Sequence, residues 1–357
     1  MKSFDIARLR LASQQIAGTR LKTAEDIVGR LGAIQAQDLP MALWAIGVRL
    51  PHATVGTIEA AVSRGAIIRT HLLRPTWHFA AAADIRWMLA LTAPQILGAM
   101  KARHNQLGLA PAVLTKSFAV LEKALRGGIH LTREDLIAAL GRAKIATADG
   151  RASHLFLCAE AAGLICSGAM KNGKATFALL EEWVPRTEAL PKEEALARLA
   201  VRYFKGHGPA TFQDFIWWSG LPVGQARQAL ESVKRNLRSE TVASATSWFS
   251  GGLSVSPSAP DSAYLLPAFD EFLIGYKDRR ASLPHESRHK AVSSNGIFRP
   301  IVVVNGRIVG TWKKAAAAAT ATLDFFERPD SDIRALIDKA AARYGRFIAR
   351  KNSDSPI

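Results

Sequence analysis

Thr23-Ala24-Glu25-Asp26-Ile27-Val28 returns in altered form as Thr132-Arg133-Glu134-Asp135-Leu136-Ile137 and again as Thr211-Phe212-Gln213-Asp214-Phe215-Ile216. Each reads Thr-x-(Glu/Gln)-Asp followed by two apolar residues. A threonine placed this way accepts a hydrogen bond from the first-turn N–H groups of a helix, and the acids after it suit the positive end of the helix dipole. One such start is an ordinary cap. Three of one texture point to repeated modules.

The flanking sequence extends the repeat. After the first start, Thr54–Arg64 reads as a further helix, with short strands at Ile67-Ile68-Arg69-Thr70 and Thr76-Trp77-His78-Phe79. After the second, Arg151–Ala162 is helical, and Leu164-Ile165-Cys166 and Ala175–Leu179 flank the turn Lys171-Asn172-Gly173-Lys174. Asn-Gly between apolar runs is a strong hairpin signal. After the third, Pro222–Leu237 is helical and Glu240–Phe249 supplies a hairpin. Helix–turn–helix followed by a hairpin is the winged-helix layout, in which a helix enters the major groove and a basic hairpin touches backbone or minor groove.

Beyond this the texture changes. Residues 251–263 are rich in Gly, Ser, Ala and Pro and read as a linker. Tyr264–Pro267, Phe272–Gly275 and the Asn305-Gly306 hairpin within Pro300–Trp312 form a small β-rich region. A last helix, about Ser331–Arg350, gathers Ile333, Leu336, Ile337, Ala340 and Ala341 on one face, and 351–357 reads as a frayed end. The expected fold class is α+β: three tandem winged-helix modules, 1–83, 84–190 and 191–250, then a β-rich domain with its terminal helix over 264–350.

The chain of 357 residues carries 47 Lys and Arg against 30 Asp and Glu, a net charge of +17. Such a surplus, spread along the chain, points to a folded basic surface for a polyanion, or to a generally basic composition that keeps the protein in solution. With 48% hydrophobic residues the chain is not disordered as a whole. Two cysteines, Cys158 and Cys166, exclude a disulfide scaffold and cysteine-rich metal sites, and both read as core. Charges interrupt the apolar stretches near the N-terminus, and the nearest apolar run, Ala315–Ala319, is far shorter than a membrane span. No membrane association and a cytoplasmic, nucleoid-associated location are expected.

Arg69, His71, Arg74, Trp77 and His78 stand on the first hairpin, and Lys171 and Lys174 flank the turn of the second. They are the candidate DNA-binding residues, since a wing offers cations and an aromatic ring to a backbone or an unstacked base. Trp77 equally reads as a core residue, with the arginines merely exposed. His285-Glu286-Ser287-Arg288-His289 matches His-Glu-x-x-His, but Pro284 precedes it and no apolar helix or third ligand supports it. No metal and no cofactor are expected.

Five stretches then carry a resemblance: Leu31–Asp38, Ile68–His78, Gly208–Phe215, Leu265–Arg279 and the Asn305-Gly306 hairpin. Together, over roughly residues 5–345, the chain is similar to the winged helix DNA-binding domain family that includes the AlkZ-like and YcaQ-like DNA glycosylases. The resemblance implies tandem winged helices and a β domain around a basic channel for duplex DNA, with removal of N7-alkylated purines, including crosslinks. It implies double-stranded DNA as partner, and a monomer is expected. The family's Gln-Φ-Gln signature, Φ being apolar, falls on Gln35-Ala36-Gln37, which makes Gln35 and Gln37 the candidate catalytic residues. Asp38 follows one position too late for the Gln-Φ-Asp form. In extended backbone both amides share one face. Without the resemblance they read as solvated or turn-capping glutamines. The competing readings are a DNA-binding protein without catalysis and a metallohydrolase on His285 and His289.

Overall fold

The computed structural model describes residues 3–349 except 172, 243, 257–258 and 316–320. Asn172 of the second turn, most of the alanine run, Arg350 and the 351–357 tail therefore lie outside the described residues. Helix α1 (Ser3–Ser13) precedes a first unit of α2 (Ala24–Leu31), β1 (Ile34–Gln35), α3 (Leu39–Gly47), α4 (Val55–Ser63), β2 (Ile67–Leu72) and β3 (Thr76–Ala81). A long helix, α5 (Ala82–Gln106), leads to a second unit of α6 (Pro111–Leu125), β4 (Leu131–Thr132), α7 (Arg133–Arg142), α8 (Arg151–Ala161), β5 (Ile165–Ser167) and β6 (Thr176–Leu179). After the short α9 (Leu180–Trp183), a third unit repeats the order as α10 (Lys192–His207), β7 (Ala210–Thr211), α11 (Phe212–Ser219), α12 (Val223–Val233), β8 (Leu237–Val242) and β9 (Ala245–Ser250). The last part holds β10 (Ala263–Leu266), α13 (Glu271–Ile274), α14 (Arg288–Ala291), β11 (Ile301–Val304), β12 (Arg307–Lys314), β13 (Ala321–Phe325) and α15 (Ser331–Ala349).

Each unit runs helix, strand, helix, helix, strand, strand. In each, the first strand pairs with the last, giving sheet orders β1-β3-β2, β4-β6-β5 and β7-β9-β8. The threonine caps are all made: Thr23 accepts from the Asp26 N–H, Thr132 from Asp135 and Thr211 from Asp214. Their positions differ. Thr132 and Thr211 close the first strand and cap the second helix of their units, whereas Thr23 caps the first helix of its own. The counterpart of Thr132 and Thr211 in the first unit is Asp38, which caps α3 through the Met41 N–H. Unlike those threonines, Asp38 stands three residues beyond its strand, because Ala36 and Gln37 intervene.

The β10-β11-β12-β13 sheet packs against the first unit, and α15 closes over both. Trp44 on α3 donates to Leu265 O at 2.8 Å and meets Tyr344 and Phe347 of α15 edge-on or tilted. The apolar face of α15 runs through Ile337 to Tyr344 and Phe347; Leu336 is only half-buried. The first sheet is buried on both faces. Ile34, Ile67 and Phe79 face this core, while Ala33, Ile68, Leu72 and Ala80 join α5, α10, α11 and α12 in a second. The second unit keeps a core of its own. None of the described helices is long and apolar enough to cross a membrane.

The Asn305-Gly306 turn is wedged against α1. Gly306 has φ +82°, and a Cβ there would stand 2.8 Å from the Ala7 carbonyl carbon and 3.0 Å from Arg8 N. Gly306→Ala thus meets left-handed strain and a backbone clash at once. It is expected to destabilise the fold by about 2 kcal/mol or more, read as a lowered midpoint in urea.

Candidate active site

Gln35 ends the short edge strand β1, opposite His78 of β3, which in turn lies opposite Thr70 of β2. Directly paired residues point to one face of a sheet, so Gln35, His78 and Thr70 form a polar row on the side facing the third unit. All three are buried. Gln35 Oε1 and Thr70 Oγ1 have no hydrogen-bond partner among the described residues. Burial, with the Arg74 charge adding to it, pulls the His78 imidazole down to about 4, so it is neutral at pH 7. Its Nδ1–H donates to Thr76 O at 2.9 Å, which leaves Nε2 as an acceptor. Gln35 Oε1 and His78 Nε2 can only accept, whereas the Thr70 hydroxyl can accept or donate.

The backbone beneath this row is held from several sides. The Gln35 N–H donates to Glu271 Oε1 at 3.0 Å. The Ala36 N–H donates to Trp77 O at 2.7 Å, and Ala36 O accepts from Arg69 Nε at 2.9 Å. Glu271 on α13 is itself buried, and its Oε2 accepts from His207 Nε2 at 3.1 Å and Trp218 Nε1 at 3.0 Å. Burial pushes the Glu271 carboxyl up, but the His207 hydrogen bond and field, with the Gln35 N–H, outweigh it and hold the group below the ordinary carboxylate range. Gln37 and Asp38 are exposed, and Gln37 has no side-chain partner among the described residues. Asp38 is occupied by its helix cap.

The first hairpin is not the exposed wing that the sequence suggests. His71 and Trp77 are cross-strand partners, and His71 Nδ1 and Trp77 Nε1 both bond the buried carboxylate of Glu160 on α8. The Arg69 guanidinium lies over the Trp77 ring at 4.2 Å, and the Arg69 backbone N–H donates to Ser167 Oγ at 2.7 Å. Burial pulls the Arg69 guanidinium down to about 10, against the fields of Glu160 and Asp38. Arg69, His71 and Trp77 thus tie the sheet to the second unit, and Arg69 also to the Gln35–Gln37 segment, while His78 is buried opposite Gln35. The physical reason is that α8 and β5 of the second unit pack against β2 and cover these residues. Arg74, in the turn, is half-buried, whereas Lys171 and Lys174 are exposed and bridged across their turn. His285 and Glu286 lie in a 3-10 turn and His289 in the short α14 that follows it, so the two imidazoles do not stand on one α-helix. No cluster of three or more potential ligands for a metal occurs among the described residues. Cys158 and Cys166 are buried on α8 and β5, and burial pushes both thiols up.

Glu160 and Glu271 escape the sequence reading. The signal was present for Glu271: Asp270 and Glu271 stand side by side within the apolar run from Leu265 to Ile274, and acids in such a run are partnered when buried.

The strand end thus sets a buried amide, Gln35, opposite a neutral imidazole, His78, with Gln37 exposed two residues on. The family model described as DNA glycosylase AlkZ-like matches residues 28–347, and the chain belongs to that family. Its reaction is that of a DNA glycosylase, hydrolysis of the bond joining base to sugar. The chain is 24% identical over 372 residues to the interstrand DNA cross-link repair glycosylase of Streptomyces sahachiroi, an alignment covering 98% of this chain and 96% of that protein. The solved structure of Streptomyces sahachiroi DNA glycosylase AlkZ matches the fold with a TM-score of 0.78 at 21% identity, over 97% of this chain and 96% of that one.

Proposed function

We propose that the three units are winged helices and that the protein excises bulky N7-alkylated purines, crosslinked ones included, from duplex DNA. An N7-alkylguanine is already cationic and leaves readily, so the enzyme has only to place a water and stabilise an oxocarbenium-like sugar. Gln35 orients that water through Oε1, and Gln37, exposed two residues on, faces the sugar. The observation that supports this most is the unspent Gln35 Oε1, buried on a backbone segment fixed by Glu271, Trp77 and Arg69. A structural glutamine buried in this way would spend its carbonyl on the protein. Lys171, Lys174 and Arg74 meet the DNA backbone. His71, Trp77 and His78 act through the scaffold.

The test is incubation with a duplex carrying N7-methylguanine. Free base and alkali-labile sites are expected; binding without either returns the protein to a DNA-binding role. Affinity for the duplex is expected to fall by about a thousandfold or more between roughly 50 and 200 mM salt, as for about six phosphate contacts. A flat salt titration would argue against the net charge of +17 being directed at DNA.

A further inference from the structure

Two guanidinium groups meet on one indole at the seam between the first and third units. Trp217 on α11 is 37% exposed, and its Nε1–H donates to Ile274 O at 2.8 Å, which fixes the ring. Arg74, in the β2–β3 turn, has Cζ 5.4 Å from the ring centroid, and Arg279 has its own at 5.2 Å. Arg279 spends Nε on Leu273 O and Nη1 on Lys277 O, while Nη2 is buried without a partner. Arg74 is barer. Its Nε is buried and unpartnered, and its other nitrogens make no hydrogen bond or ion pair among the described residues, though the field of Glu271 reaches it.

The neighbouring carboxylates are committed elsewhere. Glu271 is taken by Gln35, His207 and Trp218. Asp214 accepts from the Thr211, Lys277 and Asp278 N–H groups and faces Arg10 at 3.7 Å. Asp278 closes on Arg280. Burial pulls the Arg279 guanidinium down to about 10, and the charges of Arg288 and Arg74 add to the shift against the fields of Asp214 and Asp278. Cations held together on an aromatic ring with donors to spare call for an anion that presents several oxygens. A cavity of about 420 Å³ opens beside Arg279, lined by Lys277, Arg280 and Arg288 as well as by Asp214 and Asp278.

We propose that Arg74 and Arg279, held by Trp217, form a phosphodiester-binding subsite for the DNA strand entering the catalytic segment. Its place follows from the hairpin. Arg74 is at the turn whose β3 strand lies opposite Gln35. The turn seats on α11, where a Cβ added at Gly220 would stand 2.6 Å from Leu73 O. The assignment of the segment beside it rests on the excision reading above; the binding of phosphate does not. A phosphate contact is made equally before and during the reaction, so it lowers KM or Kd and leaves the bound rate unchanged.

The experiment titrates a fluorescent duplex of about 20 base pairs, undamaged or with N7-methylguanine, at several salt concentrations. It compares wild type, Arg74→Gln and Arg279→Gln, with melting curves alongside. Each variant is expected to weaken both duplexes alike, roughly tenfold, and to reduce the slope of log K against log salt by about one. Unchanged affinity overturns the subsite, and so does weaker binding with an unchanged slope, which marks a structural loss. Should the glutamine variants melt early, Arg74→Lys and Arg279→Lys keep the charge but not the planar fork. They are expected to bind several-fold more weakly, and wild-type affinity in both overturns the proposal. If wild type releases no base, the excision reading fails while the binding arms still decide the subsite.

Discussion

Gln35→Ala is expected to slow release of N7-methylguanine by on the order of a hundredfold, about 3 kcal/mol of transition-state stabilisation, with DNA affinity within a factor of about two. The amide acts on the water and the developing cation, which exist only along the reaction, whereas phosphate contacts elsewhere supply binding. The structure makes the single change clean. Gln35 is held through its backbone N–H by Glu271, and its side-chain carbonyl has no hydrogen-bond partner among the described residues. Gln37→Ala is expected to act in the same direction, and the double variant to lose less than the sum if both amides serve one water. Asp38→Asn is the internal control. Its carboxylate caps α3 through the Met41 N–H at 3.1 Å, and asparagine caps as well. Single-turnover kinetics with titrated affinity check all four. Full activity in Gln35→Ala would sink the assignment, and a larger loss in Asp38→Asn than in Gln37→Ala would move the chemistry to the carboxylate.

The repeat was legible because caps are local chemistry. A threonine followed three residues later by an acid specifies its own helix start whatever packs upon it, and Thr23, Thr132 and Thr211 all do so. Their equivalence was not legible. Thr23 starts the first helix of its unit, and the counterpart of the other two is Asp38, displaced by the residues that carry Gln37. The departure from the repeat thus falls on the candidate site. The wing residues misled for another reason. Arg69, His71 and Trp77 look like a basic, aromatic surface until Glu160, more than eighty positions away, is placed against them. Such a pairing leaves no periodicity in the chain. The same holds for Glu271 under Gln35, separated by 236 positions, and for Arg74 and Trp217, which meet only through the packing of two units.

Asp270→Ala is expected to be the most destabilising of these changes, by about 3–5 kcal/mol. Asp270 receives both Nη groups of Arg49, at 2.8 and 3.0 Å, and neither side chain is exposed. Arg49 also donates to Gln14 O, Gln14 Oε1 and Ala45 O, so it cannot swing to water when its counter-ion goes. Asp270 further caps α13 through the Phe272 N–H at 2.9 Å. The lost charge and the lost cap act together on the helix that carries Glu271, so Gln35 loses its anchor and excision falls with stability. Removing both charges separates the causes. Arg49→Met with Asp270→Leu leaves no ion unpaired in the core and is expected to recover much of the lost stability, since apolar residues of similar size often replace a buried pair without penalty. Urea midpoints of Asp270→Ala and of the double variant decide it. A double variant no more stable than Asp270→Ala would place the loss in the α13 cap, and the Arg49–Asp270 pair would then not be what joins the first unit to the helix beneath Gln35.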